Sequence, residues 1–324
     1  MTLVLEKPET APEELPVFPP APPSRRARRA RPARTPRPPL PPRPPAPAWA
    51  DVLSSALVVL GVLCLWTMLH LLALGGLQQA RAQNVLHAEL REQLAGETAP
   101  LGGAIEPGVP VALLEIPTLG LGQVVVEGTS ATDLRSGPGH LRSTVLPGQE
   151  GRSMIYGRVL GFGGPFRSVA TLRAGDGITV TTGQGEFVYR VDGVRRQGDP
   201  LPAPPESGEG QLVLVTAEGS GPLAGLAPSR TVFVDATLVD DAVGAPAGRP
   251  GTVPPEEKAM SGDATAALPP LVLGLQGVLV MAVVIMWARR RFPGPATWVL
   301  LVPSLLAAVW FSSDAALRLL PNLL

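Results

Sequence analysis

The sequence contains few side chains that could act as a catalytic nucleophile. Among its 324 residues there is a single cysteine, Cys64, and it lies inside a long apolar run. One cysteine can form neither a disulfide nor a thiolate metal site within one chain. Because a small apolar residue in a helix is the simplest interpretation of Cys64, thiol chemistry is not predicted.

Paired carboxylates for hydrolysis of the general acid and base type are also missing. Asp133, Asp176 and Asp192 have no second carboxylate at an informative spacing, and the last two stand beside glycine, as turn residues do. The residue types therefore predict no cofactor and no metal site.

The composition indicates a membrane protein with one medium-sized folded domain. Hydrophobic residues make up 45% of the chain and charged residues 17%, which is too apolar for an ordinary soluble protein. The formal net charge is zero, and the 39 prolines and 36 glycines crowd the N-terminal arm and the stretches between apolar runs. Such stretches are typical of linkers and turns.

Residues 1–50 are predicted to be a disordered Pro/Arg-rich arm in the cytoplasm, since they contain almost nothing apolar to bury. A basic run can bind nucleic acid, but this one lacks interleaved aromatic residues and directly precedes an apolar run, so a membrane partner is predicted and nucleic acid is not. Its basic side chains are Arg25, Arg26, Arg28, Arg29, Arg31, Arg34, Arg37 and Arg43.

Three apolar runs predict transmembrane helices. Residues 52–74 supply enough uncharged positions to cross a hydrocarbon core of about 30 Å, as do residues 271–288. The third run, within residues 296–315, contains Pro303 and is short, so it is a probable span that is alternatively re-entrant. Residues 77–110 are predicted to be a stalk and linker, and residues 241–270 a second flexible linker.

Two basic clusters predict the orientation of these helices. The arm before the first run and Arg289, Arg290 and Arg291 after the second both favour the cytoplasmic side. An odd number of spans separates each cluster from residues 111–240. The N-terminus is therefore predicted to be cytoplasmic and the intervening domain extracytoplasmic.

Residues 111–240 change to short runs rich in β-branched residues, separated by Gly, Pro, Asp and Ser. Runs of this length and spacing favour an antiparallel barrel or sandwich. The predicted fold class is mainly β, with transmembrane α-helices. The runs are VALLEI, QVVVEG, SMIYG, GITVTT, EFVYRVDGV, QLVLVT and RTVFVDATLV.

In their order along the chain, several of these pieces resemble the sortase family. They are IPTLGL at residues 116–121, an EGT to PG segment within 125–151, a PF to GD turn within 165–176, and an Arg-led closing strand at 229–239. The resemblance covers roughly residues 112–240. It implies a closed eight-stranded β-barrel at the surface of a bacterial cell membrane, and a transpeptidase that cuts a sorting-signal peptide through a cysteine thioester.

The resemblance also implies where the catalytic side chains should be. Ile155-Tyr156-Gly157-Arg158 places Arg158 where the family carries its histidine, and the string ending in Thr216-Ala217 places Ala217 where it carries its nucleophilic cysteine. An arginine cannot exchange its proton near neutral pH, and alanine has no nucleophile. Arg230 fits the family arginine, so one catalytic position of three is retained.

Other side chains near the same site could in principle supply the missing chemistry. Thr216 and Ser220 flank it, but a hydroxyl needs a positioned base and the sequence shows none. His140 is interpreted as a residue that packs a loop. Arg158 and Arg230 could together attract a carboxylate or phosphate, so the candidate ligand-binding residues are Arg158, Thr216 and Arg230.

These observations favour an inactive sortase homologue that binds a sorting-signal peptide, an active sortase or another envelope protein. Two alternatives stay open. One is a divergent hydrolase or transpeptidase that works without cysteine, and the other is a structural ectodomain of a larger membrane assembly.

Overall fold

The β-type runs form a closed eight-stranded barrel, which confirms the predicted fold class. The computed structural model describes residues 48–219, 228–291 and 294–324. The spatial order of the strands is β1-β2-β3-β4-β7-β8-β6-β5, and β5 pairs again with β1. The strands are β1 Pro110–Ile116, β2 Leu121–Glu127, β3 Gly139–His140, β4 Gly151–Tyr156, β5 Gly177–Thr182, β6 Gly185–Arg196, β7 Gly210–Gly219 and β8 Pro228–Leu238.

The barrel interior is filled by alternate residues of its strands. In β5, Ile178 and Val180 are wholly buried while their neighbours are partly exposed, as period-2 patterning requires. Tyr189 of β6 lies among these side chains, and its hydroxyl accepts a hydrogen bond of 2.6 Å from the Gly148 amide. The interior is therefore a packed core.

Strand β7 is buried on both faces. Leu212 and Leu214 point into the barrel core, whereas Val213, Val215 and Ala217 belong to a second buried cluster on the other face. No residue from Leu212 to Ala217 is exposed. Burial on both faces accounts for the almost continuous apolar sequence of this strand. The second cluster contains the candidate site.

Four helices accompany the barrel: α1 Ala48–Leu69, α2 Gly75–Ala95, α3 Ala264–Arg291 and α4 Gly294–Leu317. A π-helical segment, His70–Leu74, joins α1 directly to α2. The predicted stalk is thus the continuation of the first apolar helix.

Helix α2 packs against the barrel. Leu86 and Leu90 form a buried cluster with Val124 and Val126 of β2. Gln83 both accepts a hydrogen bond of 2.8 Å from the Val124 amide and donates one of 3.0 Å to the Val124 carbonyl. These contacts fix the barrel to the helix.

Two of the described helical regions are long and apolar enough to cross a membrane, Leu60–Ala95 and Ala264–Ile285. The apolar part of α4, Leu301–Leu317, is shorter, so its full crossing remains a prediction. Helix α4 lies against the first helix: the Trp66 indole donates a hydrogen bond of 3.3 Å to Ser313, and the Trp66 and Trp310 rings are 6.3 Å apart. The Pro/Arg-rich arm lies outside the described residues up to position 47.

The segment between β8 and α3 was expected to be a flexible linker, but it contacts the barrel. Val243 donates a backbone hydrogen bond of 2.9 Å to Gly148. Glu257 forms an ion pair with Arg142, and its carbonyl accepts a bond of 2.7 Å from Thr129. Val253, Ala259 and Met260 of this segment pack on the buried cluster that contains Ala217, so the segment forms one wall of the candidate site.

Candidate functional site

Ala217 lies near the end of β7, opposite Thr231 of β8. It is 2% exposed and belongs to an apolar cluster with Leu134, Tyr156 and Leu323. Position 217 is therefore closed to solvent and lies among apolar side chains. A water molecule or a substrate carbonyl has no polar partner on the Ala217 side chain.

Thr216 is buried beside it. Its hydroxyl donates a hydrogen bond of 3.1 Å to the carbonyl of Gly157. The proton of this hydroxyl is thus shared with a backbone acceptor and not with a base that could activate the oxygen. The other candidate hydroxyl, Ser220, lies outside the described residues.

Arg158 follows β4 and has no exposed surface. Its Nε donates to the carbonyl of Leu134 at 3.2 Å, its Nη2 donates to that of Ala131 at 2.7 Å, and its guanidinium lies 5.1 Å from the centre of the Phe162 ring. Its Nη1 has no hydrogen-bond partner among the described residues. Burial and the nearby Arg135 lower the pKa of Arg158 to about 9, so it remains a cation at neutral pH.

This lowered pKa predicts a pH dependence of stability. Below pH 9 both the folded and unfolded chains hold the proton, so the cost of burying the charge is fully present. Above pH 9 the folded chain releases the proton while the unfolded chain keeps it to a much higher pH, so the free energy of unfolding rises with pH. We expect this rise between pH 8 and about 10.5 in the unchanged chain and its loss in Arg158→Met, measured by urea denaturation; equal slopes would contradict it.

Arg230 has a different environment. It is exposed at the start of β8, opposite Glu218 of β7, whose carboxylate accepts a bond of 2.6 Å from Arg196. A dissolved anion has no path to the wholly buried Arg158 in this conformation. A joint anion site of Arg158 and Arg230 therefore stays a prediction that would need a more open state.

His140 is buried and both of its ring nitrogens face acceptors. Nδ1 lies 2.8 Å from a carboxylate oxygen of Glu127, and Nε2 lies 2.9 Å from the carbonyl of Val145. The Thr144 hydroxyl also lies 3.2 Å from Nε2. His140 thus ties β2 and β3 to the following loop, which agrees with its interpretation as a packing residue.

Two segments that sequence reasoning missed close the site. Met260 and its neighbours pack on the cluster from the segment before α3, and Leu323 enters the cluster from the chain after α4. The isolated apolar residues at 323 and 324 were the available signal. No group of three or more His, Cys, Asp or Glu side chains that could hold a metal occurs in the described part of the chain.

Comparison with known proteins finds similarity to sortases in a family model, a curated protein and solved structures. The sortase domain family matches residues 114–237. Sortase D of Bacillus subtilis (strain 168) is 33% identical over 86 residues, which are 26% of this chain and 42% of that protein. The match thus spans less than half the length of this curated relative.

Several solved structures are also similar. A Clostridium perfringens Sortase D5 transpeptidase is 22% identical, with a TM-score of 0.40, and the match covers 49% of this chain and 99% of that chain. Sortase E from Streptomyces avermitilis is 29% identical, with a TM-score of 0.35 and coverage of 42% and 92%. Sortase E1 from Streptomyces coelicolor, solved with a tripeptide in its active site, is 24% identical, with a TM-score of 0.35 and coverage of 43% and 93%.

Proposed function

Since the chain belongs to the sortase family through its domain at residues 114–237, we propose that it binds a peptide or protein partner at the membrane without cleaving it. The partner is a sorting-signal peptide, an active sortase or another envelope protein. Two apolar helices and a sortase domain fit a membrane-anchored protein. The proposed location is the membrane of a bacterial cell, with the barrel outside and the N-terminus in the cytoplasm.

The chemistry of the site carries this proposal. Acyl transfer through a thioester needs a nucleophile and a group that protonates the leaving amine. The position equivalent to the nucleophile is Ala217, 2% exposed, and the position equivalent to the proton donor is Arg158, wholly buried and bonded to two carbonyls. Neither residue supplies its step.

The barrel around these positions is intact, which supports binding over decay. Its eight strands close, its core is packed, and Thr216 next to Ala217 makes a satisfied hydrogen bond. A domain that had lost all selection would be expected to lose the close packing of this core.

The test uses the full chain in detergent micelles and a fluorescence-quenched sorting-signal peptide. We expect no cleavage above the blank, and binding detected as a rise in anisotropy of a labelled, unquenched version. An electrophilic acyl probe is expected to leave Thr216 unmodified, with Thr216→Val as the matched control. Turnover above the blank, or an adduct that disappears in Thr216→Val, would show that the domain is an enzyme after all.

A further inference from the structure

The chain after α4 returns to the barrel and lies at the two emptied catalytic positions. The Val159 amide donates a hydrogen bond of 2.9 Å to the carbonyl of Leu323, and the Gly161 amide donates one of 2.8 Å to that of Leu324. These two donors lie one and three residues after Arg158. The Leu323 side chain has no exposed surface and shares its cluster with Ala217. One short segment therefore contacts both the loop that follows Arg158 and the cluster around Ala217.

Asn322 adds a specific contact. Its side chain is wholly buried, and its Nδ2 donates to the carbonyl of Thr129 at 2.8 Å and to that of Lys258 at 3.0 Å. Its own backbone amide donates to the carbonyl of Ser261 at 2.8 Å. An asparagine held by two backbone carbonyls is recognised as an amide, since a carboxylate at that place would meet only acceptors.

The aliphatic residues on either side of Asn322 complete the fit. Leu320 and Leu324 line an apolar groove formed with Leu71 of the first helix and Leu160 of the loop after β4. At Gly161 the backbone passes close to this segment: a Cβ there would lie 2.5 Å from a Leu71 methyl and 3.2 Å from the Leu324 carbonyl. Glycine thus leaves the space in which the segment lies.

These contacts follow the pattern of peptide recognition. Main-chain hydrogen bonds hold the segment, while separate pockets select an amide side chain and aliphatic side chains. We propose that residues 320–324 are an intramolecular ligand of the barrel, and that an external peptide binds the same place only by displacing them. The proposal rests on the binding role argued above, and it names the ligand class as a peptide with an amide side chain between aliphatic ones, held in a turn that the Leu324 amide closes by donating a bond of 3.0 Å to the Pro321 carbonyl.

Covalent attachment makes the internal segment a strong competitor. A tethered ligand acts at an effective concentration of the order of millimolar, so it fills a site of modest affinity. An external peptide therefore binds the unchanged chain more weakly than the site itself allows. Releasing the segment should restore the full affinity.

The experiment uses the chain's own sequence as the probe. A fluorescent peptide of residues 316–324 is titrated by anisotropy into the full chain in micelles and into the chain carrying Asn322→Ala and Leu323→Asp. We expect the Kd to fall about tenfold or more in the variant, because the tethered competitor has left. The same peptide with N322A is the matched control, and it should bind the variant about tenfold more weakly because it lacks the buried amide contacts.

A second arm avoids any folding defect of the variant. A protease site is inserted between Arg318 and Leu319, the chain is folded intact and is cut afterwards, and uptake of the labelled peptide is followed. Hydrogen exchange reports both folding, through the β7 amides, and release, through the amides of Val159 and Gly161. Uptake together with faster exchange at these two amides supports the proposal.

A cut chain that keeps slow exchange in β7 but takes up no labelled peptide would overturn it, because the segment would then be a fixed part of the fold. If the function proposed above is wrong but the internal ligand is real, the result differs. The cut chain then takes up the peptide of residues 316–324 but does not bind a sorting-signal peptide.

Discussion

A thiol introduced by Ala217→Cys is expected to react with iodoacetamide about tenfold or more slowly in the otherwise unchanged chain than in one that also carries Leu323→Asp. Position 217 is 2% exposed, and Leu323 in the same cluster has no exposed surface. Alkylation therefore requires the covering segment to open. A carboxylate at position 323 cannot stay in this apolar cluster unpaired, so it favours the open state.

The measurement is the rate of mass increase of the protein at fixed pH. The only natural cysteine, Cys64, lies in α1, and Cys64→Ser removes its signal from both chains. The same chains in urea give the rate of an unprotected thiol, which should be equal for both. Rapid labelling at position 217 with Leu323 intact would mean that this position is accessible without displacement of residues 320–324.

The second large effect concerns the buried pair of His140 and Glu127. Replacing only the acid, as Glu127→Leu, should lower the free energy of unfolding by about 1–3 kcal/mol, because the buried Nδ1 of His140 loses its hydrogen-bond partner. The distance of 2.8 Å and the exposure of 0% for the His140 side chain and 3% for that of Glu127 leave water no access to compensate. Urea denaturation of the full chain in micelles measures the change.

A double replacement separates the contribution of the His140–Glu127 pair to stability from the contribution of side-chain packing. Combining Glu127→Leu with His140→Leu removes both buried polar groups, so most of the lost stability should return. Glu218→Leu is the matched surface control: its ion pair with Arg196, whose side chain is half exposed, should contribute no more than about 1 kcal/mol. Equal effects at the two glutamates would show that burial does not set the strength of this pair.

Much of the barrel could be predicted from the sequence, because its strands are bounded by turn residues and their apolar positions alternate. The β5 and β6 runs show this pattern, and the structure pairs them in register from Gly177 and Arg190 to Thr182 and Gly185. Arg158 lies two residues after the end of β4 and Ala217 two residues before the end of β7, so their places in the barrel follow from its topology. Their equivalence to catalytic positions stays a prediction.

The closure of the site could not be predicted, since it depends on contacts between distant parts of the chain. Asn322 bonds to Thr129, which is 193 residues away, and no local pattern records this. The region before α3 is rich in Gly, Pro and charge, a composition that favours a linker, yet the buried Glu257 fixes it through Arg142. Long-range polar pairs of this kind override the local preference.

The burial of Arg158 could not be predicted from the sequence either. An arginine after a strand is ordinarily expected to reach solvent, because burying its charge is costly. Here the backbone of residues 131–134 turns two carbonyl oxygens towards it, and the face of Phe162 covers it. Which carbonyls are free to accept depends on turn geometry, and composition does not encode that.

The direct passage of α1 into α2 limits where a partner can be captured. Helix α2 continues α1 and also packs against the barrel. The barrel is therefore attached to the apolar helix rigidly and not through a flexible linker. The groove that Leu324 lines includes Leu63 and Leu71 of the apolar helix. For the proposed binding role this predicts that a partner's recognition sequence must come close to the membrane surface.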